Sequence, residues 1–99
     1  MREPKGVRHI NGGVRNVNGG VQLLYEFENG YGASVIKLPF SYGGSRGLWE
    51  LAITHGDTLC YDTPITNNTI GYLTEEGVDE LLDKIEALPV KMELLTDGN

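Results

Sequence analysis

The stretch from residue 74 to residue 88 carries the clearest periodic pattern in the sequence. Apolar side chains recur there at intervals of three and four residues: Val78, Leu81, Leu82, Ile85 and Leu88. This spacing lines them along one face of an α-helix. Thr74 supplies a capping hydroxyl ahead of Glu75 and Glu76, whose charges suit a helix N-terminus, and Pro89 ends the pattern. The sequence therefore predicts a helix over residues 74–88 with one apolar face to cover.

Residues 21–65 show instead the two-residue alternation of β-strands. Alternation and glycine-containing turns predict an antiparallel meander of about four strands, at residues 21–28, 33–40, 48–54 and 58–63. The apolar faces of the first three are predicted to be Val21, Leu23, Tyr25 and Phe27; then Ser34, Ile36, Leu38 and Phe40; then Trp49, Leu51 and Ile53. The predicted sheet, like the helix, has one apolar side.

The predicted fold class follows from these two patterns. One amphipathic helix and one amphipathic sheet bury their apolar faces most simply against each other, which makes a two-layer α+β domain. A chain of 99 residues has the size of a single domain. Residues 1–20 are rich in glycine and asparagine and are predicted to form either an arm or a short hairpin of residues 7–10 with 14–17. Residues 89–99 are predicted to form a C-terminal tail, in which Met92, Leu94 and Leu95 could add a short strand or extend the edge of the core.

The charge balance and the single cysteine exclude several classes of function. Lys and Arg total 8 against 14 Asp and Glu, which gives a formal net charge of -6. Nucleic acids and anionic membranes attract clustered cations, so neither is expected as a direct partner. No apolar run reaches the ~20 residues that a membrane helix needs. Cys60 alone allows no internal disulfide and no cysteine-rich zinc site, and no secretory signal follows Met1. A reducing, cytoplasmic compartment is expected.

A near-repeat, Val-Arg-x-x-Asn-Gly-Gly, occupies residues 7–13 and 14–20. A phosphate-binding loop runs from a strand into a helix N-terminus and usually continues with Lys-Ser or Lys-Thr. Here no lysine follows either glycine pair, and the next segment alternates as a strand. Turns or a flexible arm are therefore predicted. The alternative is a small anion-binding pair formed by Arg8 and Arg15.

His55, Asp57 and Cys60 have the composition of a thiol triad or of part of a metal site. Residues that lie so close together on one hairpin do not readily converge, and a cysteine in a strand is most often a small core residue. A polar turn that faces water is the simpler interpretation of His55 and Asp57. We predict no catalytic residue, no metal site and no cofactor.

The turns and the helix supply the candidate residues for binding a partner. Tyr42 and Arg46 flank a glycine-rich turn, and Tyr31 lies in another turn with little to pack against. Tyr, Trp and Arg are enriched at interface hot spots, and exposed aromatic side chains on loops suggest recognition. Trp49 belongs either to this surface or to the core. The polar face of the helix carries carboxylates that either face solvent or dock on a basic groove, and the candidates are Glu76, Asp79, Glu80 and Asp83.

Four segments carry a resemblance to known proteins: "YEFENGYGASVIKL", "GLWELA", "YDTPIT" and "IGYLTEEGVDELLDKIEAL". They resemble small, uncharacterised proteins encoded by phages of actinobacteria and related hosts, over residues 25–88. The resemblance implies a protein made in the host cytoplasm during infection. Small acidic phage proteins of this sort often bind and block a host protein, as anti-CRISPR and other counter-defence proteins do. It carries no catalytic residue across to this chain.

The first functional hypothesis is a non-enzymatic protein that binds a host factor, such as a nucleic-acid-handling complex, and inhibits or redirects it. The second is a structural component of a virion or its assembly, which self-associates, for example as a homodimer, through an exposed strand edge. The third is a module that binds or hydrolyses a nucleotide or small ligand through Arg8, Arg15 or His55.

Overall fold

The computed structural model describes residues 1–10, 19–39 and 41–90. Within them the chain forms an antiparallel sheet of six strands and one α-helix, α1, over Glu75–Glu86. A short 3₁₀ turn spans Gly44–Arg46. The strands are β1 Gly6–Ile10, β2 Gly20–Glu26, β3 Tyr31–Lys37, β4 Trp49–His55, β5 Thr58–Leu59 and β6 Ile70–Leu73.

The sheet follows chain order from β1 to β4, and β4 then pairs with two further strands. Strand β5 pairs near the C-terminal end of β4, where Thr54 faces Leu59. Strand β6 pairs near its N-terminal end, where Trp49 faces Leu73. One face of the sheet, the helix side, packs on α1, and the opposite face is called the outer side below. The predicted two-layer α+β fold is confirmed.

Helix α1 begins where the sequence predicts. The Thr74 hydroxyl accepts a hydrogen bond of 3.1 Å from the backbone N–H of Gly77, which satisfies one of the free donors of the first turn. The helix ends at Glu86, two residues before the predicted end, and it buries Val78, Leu82 and Ile85 completely. Burial of these three side chains against the sheet supplies much of the driving force for the fold.

The core lies between α1 and the central strands β3 and β4. Its strand residues include Val35, Leu51 and Ile53, all of which are buried. The face predicted for β3 is wrong, because the register pairs Val35 with Leu51 and Ala33 with Ile53, and so turns Ala33 and Val35 toward the helix. Ser34 and Ile36 are half-buried on the outer side, while Phe40 lies outside the described residues.

The two ends of the predicted meander also differ from expectation. Residues 7–10 are extended as predicted, but they belong to β1, which pairs with β2. The last predicted strand, residues 58–63, is reduced to the two residues of β5, and the sequence pattern did not reveal β6. Residues 14–17 and the apolar residues of the C-terminal tail, Met92, Leu94 and Leu95, lie outside the described residues.

Candidate functional site

Two tyrosines project from neighbouring backbone segments at the β6 edge of the sheet. Tyr42 precedes the 3₁₀ turn, and Tyr72 lies in β6. Tyr42 is 61% exposed and Tyr72 is 60% exposed. The backbone N–H of Tyr72 donates a hydrogen bond of 3.1 Å to the Tyr42 carbonyl, which joins the two segments. We call these two residues the tyrosine pair.

Tyr72 has an unusual backbone conformation. Its φ of 57° lies in the left-handed region, where no other non-glycine residue of the described chain is found. The cause is a break in the β4–β6 register: Trp49 faces Leu73 and Leu51 faces Ile70, so two residues of β6 stand opposite one residue of β4. A tyrosine held in this region costs about 1–2 kcal/mol.

The surrounding backbone holds this arrangement in place. Gly43 is buried with a φ of 90°, and a Cβ there would lie 2.9 Å from the Tyr72 Cα. A Cβ on Gly71 would overlap the Cβ of Tyr42. The Glu50 carboxylate accepts a hydrogen bond of 2.8 Å from the Tyr42 backbone N–H. The glycines allow a close approach that no larger residue permits, and the two rings are left facing solvent.

The other residues predicted around this loop divide between surface and core. Arg46 is exposed in the 3₁₀ turn, four positions after Tyr42. Trp49 is 6% exposed and belongs to the core, with the Lys37 ammonium 4.4 Å from its ring centroid. Its indole N–H finds no hydrogen-bond partner among the described residues.

Tyr31 is not the exposed turn residue that the sequence predicts. It is the first residue of β3, is 7% exposed, and packs edge-to-face on His55 with the ring centroids 5.1 Å apart. The side chain of Asn29 explains the error. Its oxygen accepts the Tyr31 N–H at 3.0 Å, and its amide donates to the carbonyls of Ile85 and Leu88 at 2.9 Å each. The turn is thereby closed early and tied to the end of α1, which buries Tyr31.

The four predicted helix acids fall into two groups. Glu76 and Glu80 are exposed and form no ion pair within the described part of the chain. Asp79 and Asp83 instead contact the N-terminal segment. Asp79 Oδ1 accepts the backbone N–H of Arg2 at 2.7 Å, and Asp83 Oδ1 accepts the Arg2 guanidinium at 2.8 Å. No periodic pattern in the sequence could predict this contact, because it joins residues that are far apart along the chain.

The structure places His55, Asp57 and Cys60 in three different environments. The His55 ring packs on Tyr31, and Asp57 is exposed in the turn after β4. Cys60 is buried, and its thiol donates a hydrogen bond of 2.9 Å to Asp62. No group of three or more His, Cys, Asp or Glu residues in the described ranges is arranged to hold a metal ion.

The outer side of the sheet carries a shallow depression of about 600 Å³. Arg8, a candidate for anion binding, lies on its lining and donates a long hydrogen bond of 3.4 Å to Gln22. Lys5 also lines it but forms an ion pair with Glu26, and Asp57 adds a second carboxylate. A phosphate placed here would face carboxylates as well as cations, so the surface is poorly suited to a nucleotide.

Comparison of the chain with protein-family models, with curated proteins and with solved structures finds no match in any of the three. No helix in residues 1–10, 19–39 and 41–90 combines the length and apolar character that crossing a membrane requires.

Proposed function

We propose that this protein acts by binding a host protein and inhibiting or redirecting it, without chemistry of its own, in the manner of phage counter-defence inhibitors. The observation that supports this proposal best is the exposed tyrosine pair on a backbone that is strained at Tyr72. The resemblance to actinobacteriophage proteins supports a host protein as the class of partner.

The tyrosine pair has the physical properties of an interface hot spot. Tyrosine supplies a large contact area with few rotatable bonds, so little conformational entropy is lost when it binds. The bonded and closely packed backbones of Tyr42 and Tyr72 reduce that loss further. Strained residues persist where the structure around them imposes the conformation, and they cluster at functional sites. A strained residue whose ring faces solvent is therefore best explained by a function outside the core.

The exposed acids of α1 favour a basic partner. Glu76 and Glu80 are exposed one helical turn apart, and the chain as a whole has a net charge of -6. Such a surface speeds encounter with a basic protein and repels nucleic acid. A host protein whose own cationic groove binds phosphates fits this requirement. Because exposed charges are screened, added salt should slow the association.

Affinity capture from an actinobacterial lysate tests the proposal. The bait proteins are the wild type, the double variant Y42A/Y72N, and Y61N as a matched control. Tyr61 is also exposed but lies beyond β5, near the other end of β4. We expect at least one host protein to be retained by the wild type and Y61N and lost with the double variant. Equal capture by all three baits would overturn the proposal.

A structural role is less well supported. Among the described strands β1 lies at one edge of the sheet, and pairing of two such edges would bring together strands that carry Arg8 and are preceded by Lys5. Like charges on an edge strand oppose such pairing. The proposal accordingly expects the purified protein to sediment without self-association through β1.

A further inference from the structure

The N-terminal segment, residues 1–5, contacts the acidic side of α1 mainly through Arg2. One terminal nitrogen of the guanidinium donates to Asp83 at 2.8 Å and the other to Glu86 at 2.7 Å. The guanidinium carbon lies 5.1 Å from the centroid of the Phe27 ring. The carbonyl of Arg2 accepts a hydrogen bond of 2.8 Å from the Tyr25 hydroxyl. Sheet and helix thus each contribute to the same contact.

This contact has the chemistry of an arginine-recognition site. The two carboxylates engage separate nitrogens of the planar guanidinium, and an aromatic ring faces the cation. A lysine ammonium is a point charge and cannot bridge two carboxylates with fixed directions in the same way. The hydrogen bond to Glu86, followed by the other contacts with Glu86 and Asp83, raises the pKa of Arg2 against the opposing effect of burial.

Arg2 is also placed where another group can replace it. The Arg2 side chain is 31% exposed, and the side chains of Asp83 and Glu86 are 71% and 53% exposed. Ion pairs as exposed as these contribute little free energy each. The sheet holds the segment independently of them, because Lys5 donates its backbone N–H to Leu24 and β1 pairs with β2 along its length. We therefore expect the fold to stay intact when the guanidinium is released.

We infer that Asp83, Glu86 and Phe27 form a binding site for an arginine side chain of the partner, which Arg2 occupies in the free protein. The inference rests on the proposed function in that the partner is a basic protein. Arg2 is then an intramolecular competitor. A partner that presents an arginine in the right direction displaces it, whereas one that offers only diffuse positive charge does not.

The test uses a fluorescently labelled peptide of alternating arginine and glycine, with a lysine–glycine peptide of equal length for comparison. Binding is followed by fluorescence anisotropy at low salt. We expect R2A to bind the arginine peptide about fivefold more tightly than the wild type, since removal of a weak competitor frees the site. The affinity for the lysine peptide should increase less from the wild type to R2A.

Matched variants separate the site from net charge. K5A removes one cation, as R2A does, from an ion pair at another place, and it should leave the affinity near that of the wild type. In the R2A background, D83N/E86Q should abolish the gain, while E76Q/E80Q removes the same charge from the same helix and should preserve most of it. Equal affinities of R2A and wild type, or equal losses with the two pairs of acid variants, would overturn the inference.

Circular dichroism of R2A and R2K checks that the fold persists, and R2K should give an intermediate affinity. The tyrosine pair provides the link to the proposed function. Y42A/Y72N should bind the arginine peptide as the wild type does, because the hydrogen bonds of the tyrosine pair share no residue with the contacts that hold Arg2. Capture that depends on the tyrosines together with a negative peptide result contradicts only the inference. A positive peptide result together with capture that does not depend on the tyrosines contradicts only the proposed function.

Discussion

The carbonyl of Tyr42 accepts the backbone N–H of Tyr72 at 3.1 Å, and both tyrosines are exposed. Gly43 and Gly71 make the approach possible, since a side chain at either position would collide with the opposite segment. The left-handed backbone of Tyr72 costs free energy, and the residue is mostly exposed. We therefore expect its ring to contribute little to the stability of the fold.

Replacing Tyr72 with asparagine should leave the protein as stable as the wild type, or more stable by about 1 kcal/mol, because asparagine tolerates the left-handed region better than tyrosine does. Urea unfolding followed by the fluorescence of Trp49 measures the change. Y61N is the control at a residue with ordinary backbone. A loss of several kcal/mol in Y72N would show that the ring supports the fold, and would remove the case for a binding role.

Alkaline pH should weaken the fold through Tyr25. Burial first, and then the charge of Asp79, raises the pKa of Tyr25 above its ordinary value of 10.0, although Arg2 opposes this in part. The folded state therefore holds the tyrosine proton more tightly than the unfolded chain does. The resulting stability is fully present below the unfolded pKa of about 10 and is lost as the pH rises through the folded pKa.

The variant Y25F tests this assignment. At neutral pH it should be less stable than the wild type, because the hydrogen bond from the Tyr25 hydroxyl to Arg2 is gone. Above the ordinary tyrosine pKa the difference should shrink or change sign. Unfolding free energies measured across this pH range should converge, and parallel curves for the two proteins would contradict the prediction.

A separate, local prediction concerns Thr74, which caps the N-terminus of α1. T74A removes the hydroxyl that accepts the Gly77 N–H, and should lower the free energy of unfolding by about 1 kcal/mol. T74S keeps a hydroxyl and should recover most of that loss. Thermal and urea unfolding both measure the change in the free energy of unfolding. If T74A and T74S are equally destabilised, the side chain contributes something other than a cap.

The packing of α1 on the sheet predicts a larger effect in the core. L82A should lower the free energy of unfolding by about 2–5 kcal/mol, because Leu82 is completely buried against the sheet. L24A is the control: Leu24 is 36% exposed on the outer side and should cost much less. Equal losses for the two variants, measured by urea unfolding, would contradict the assignment of the core to the helix side.

The sequence predicted the parts of this fold that depend on local pattern. The spacing of Val78, Leu82 and Ile85 identified the buried face of α1, and Thr74 identified its start. The buried face of β4 was also recognised, since Trp49, Leu51 and Ile53 alternate with more polar residues and are all buried. In each of these segments the buried side is also the more apolar side, so periodicity alone was sufficient.

The prediction failed where pairing between distant segments decides the outcome. Strand β3 offers apolar residues on both sides, and the pairing of Val35 with Leu51 chooses the side that local pattern did not. Burial of Tyr31 depends on bonds from Asn29 to the far end of α1. Tyr72 was missed as a candidate because its exposure results from a register break between β4 and β6.

The contact of Arg2 with Asp83 belongs to the same class, because it joins residues 81 positions apart. It changes the interpretation of the acidic helix face. Two of the predicted acids, Asp79 and Asp83, are engaged within the chain, and Glu76 and Glu80 remain directed to solvent. Charge counts from sequence cannot distinguish these two states, which have different consequences for binding.

The most direct test of the central claim is the dissociation constant of the captured host protein, measured with purified components for the wild type, Y61N and Y42A/Y72N. We predict that Y61N binds as tightly as the wild type. The double variant should bind at least about tenfold more weakly, as expected when hot-spot side chains are removed. An unchanged dissociation constant for Y42A/Y72N, or an equal loss in Y61N, would contradict the assignment of this surface to partner binding.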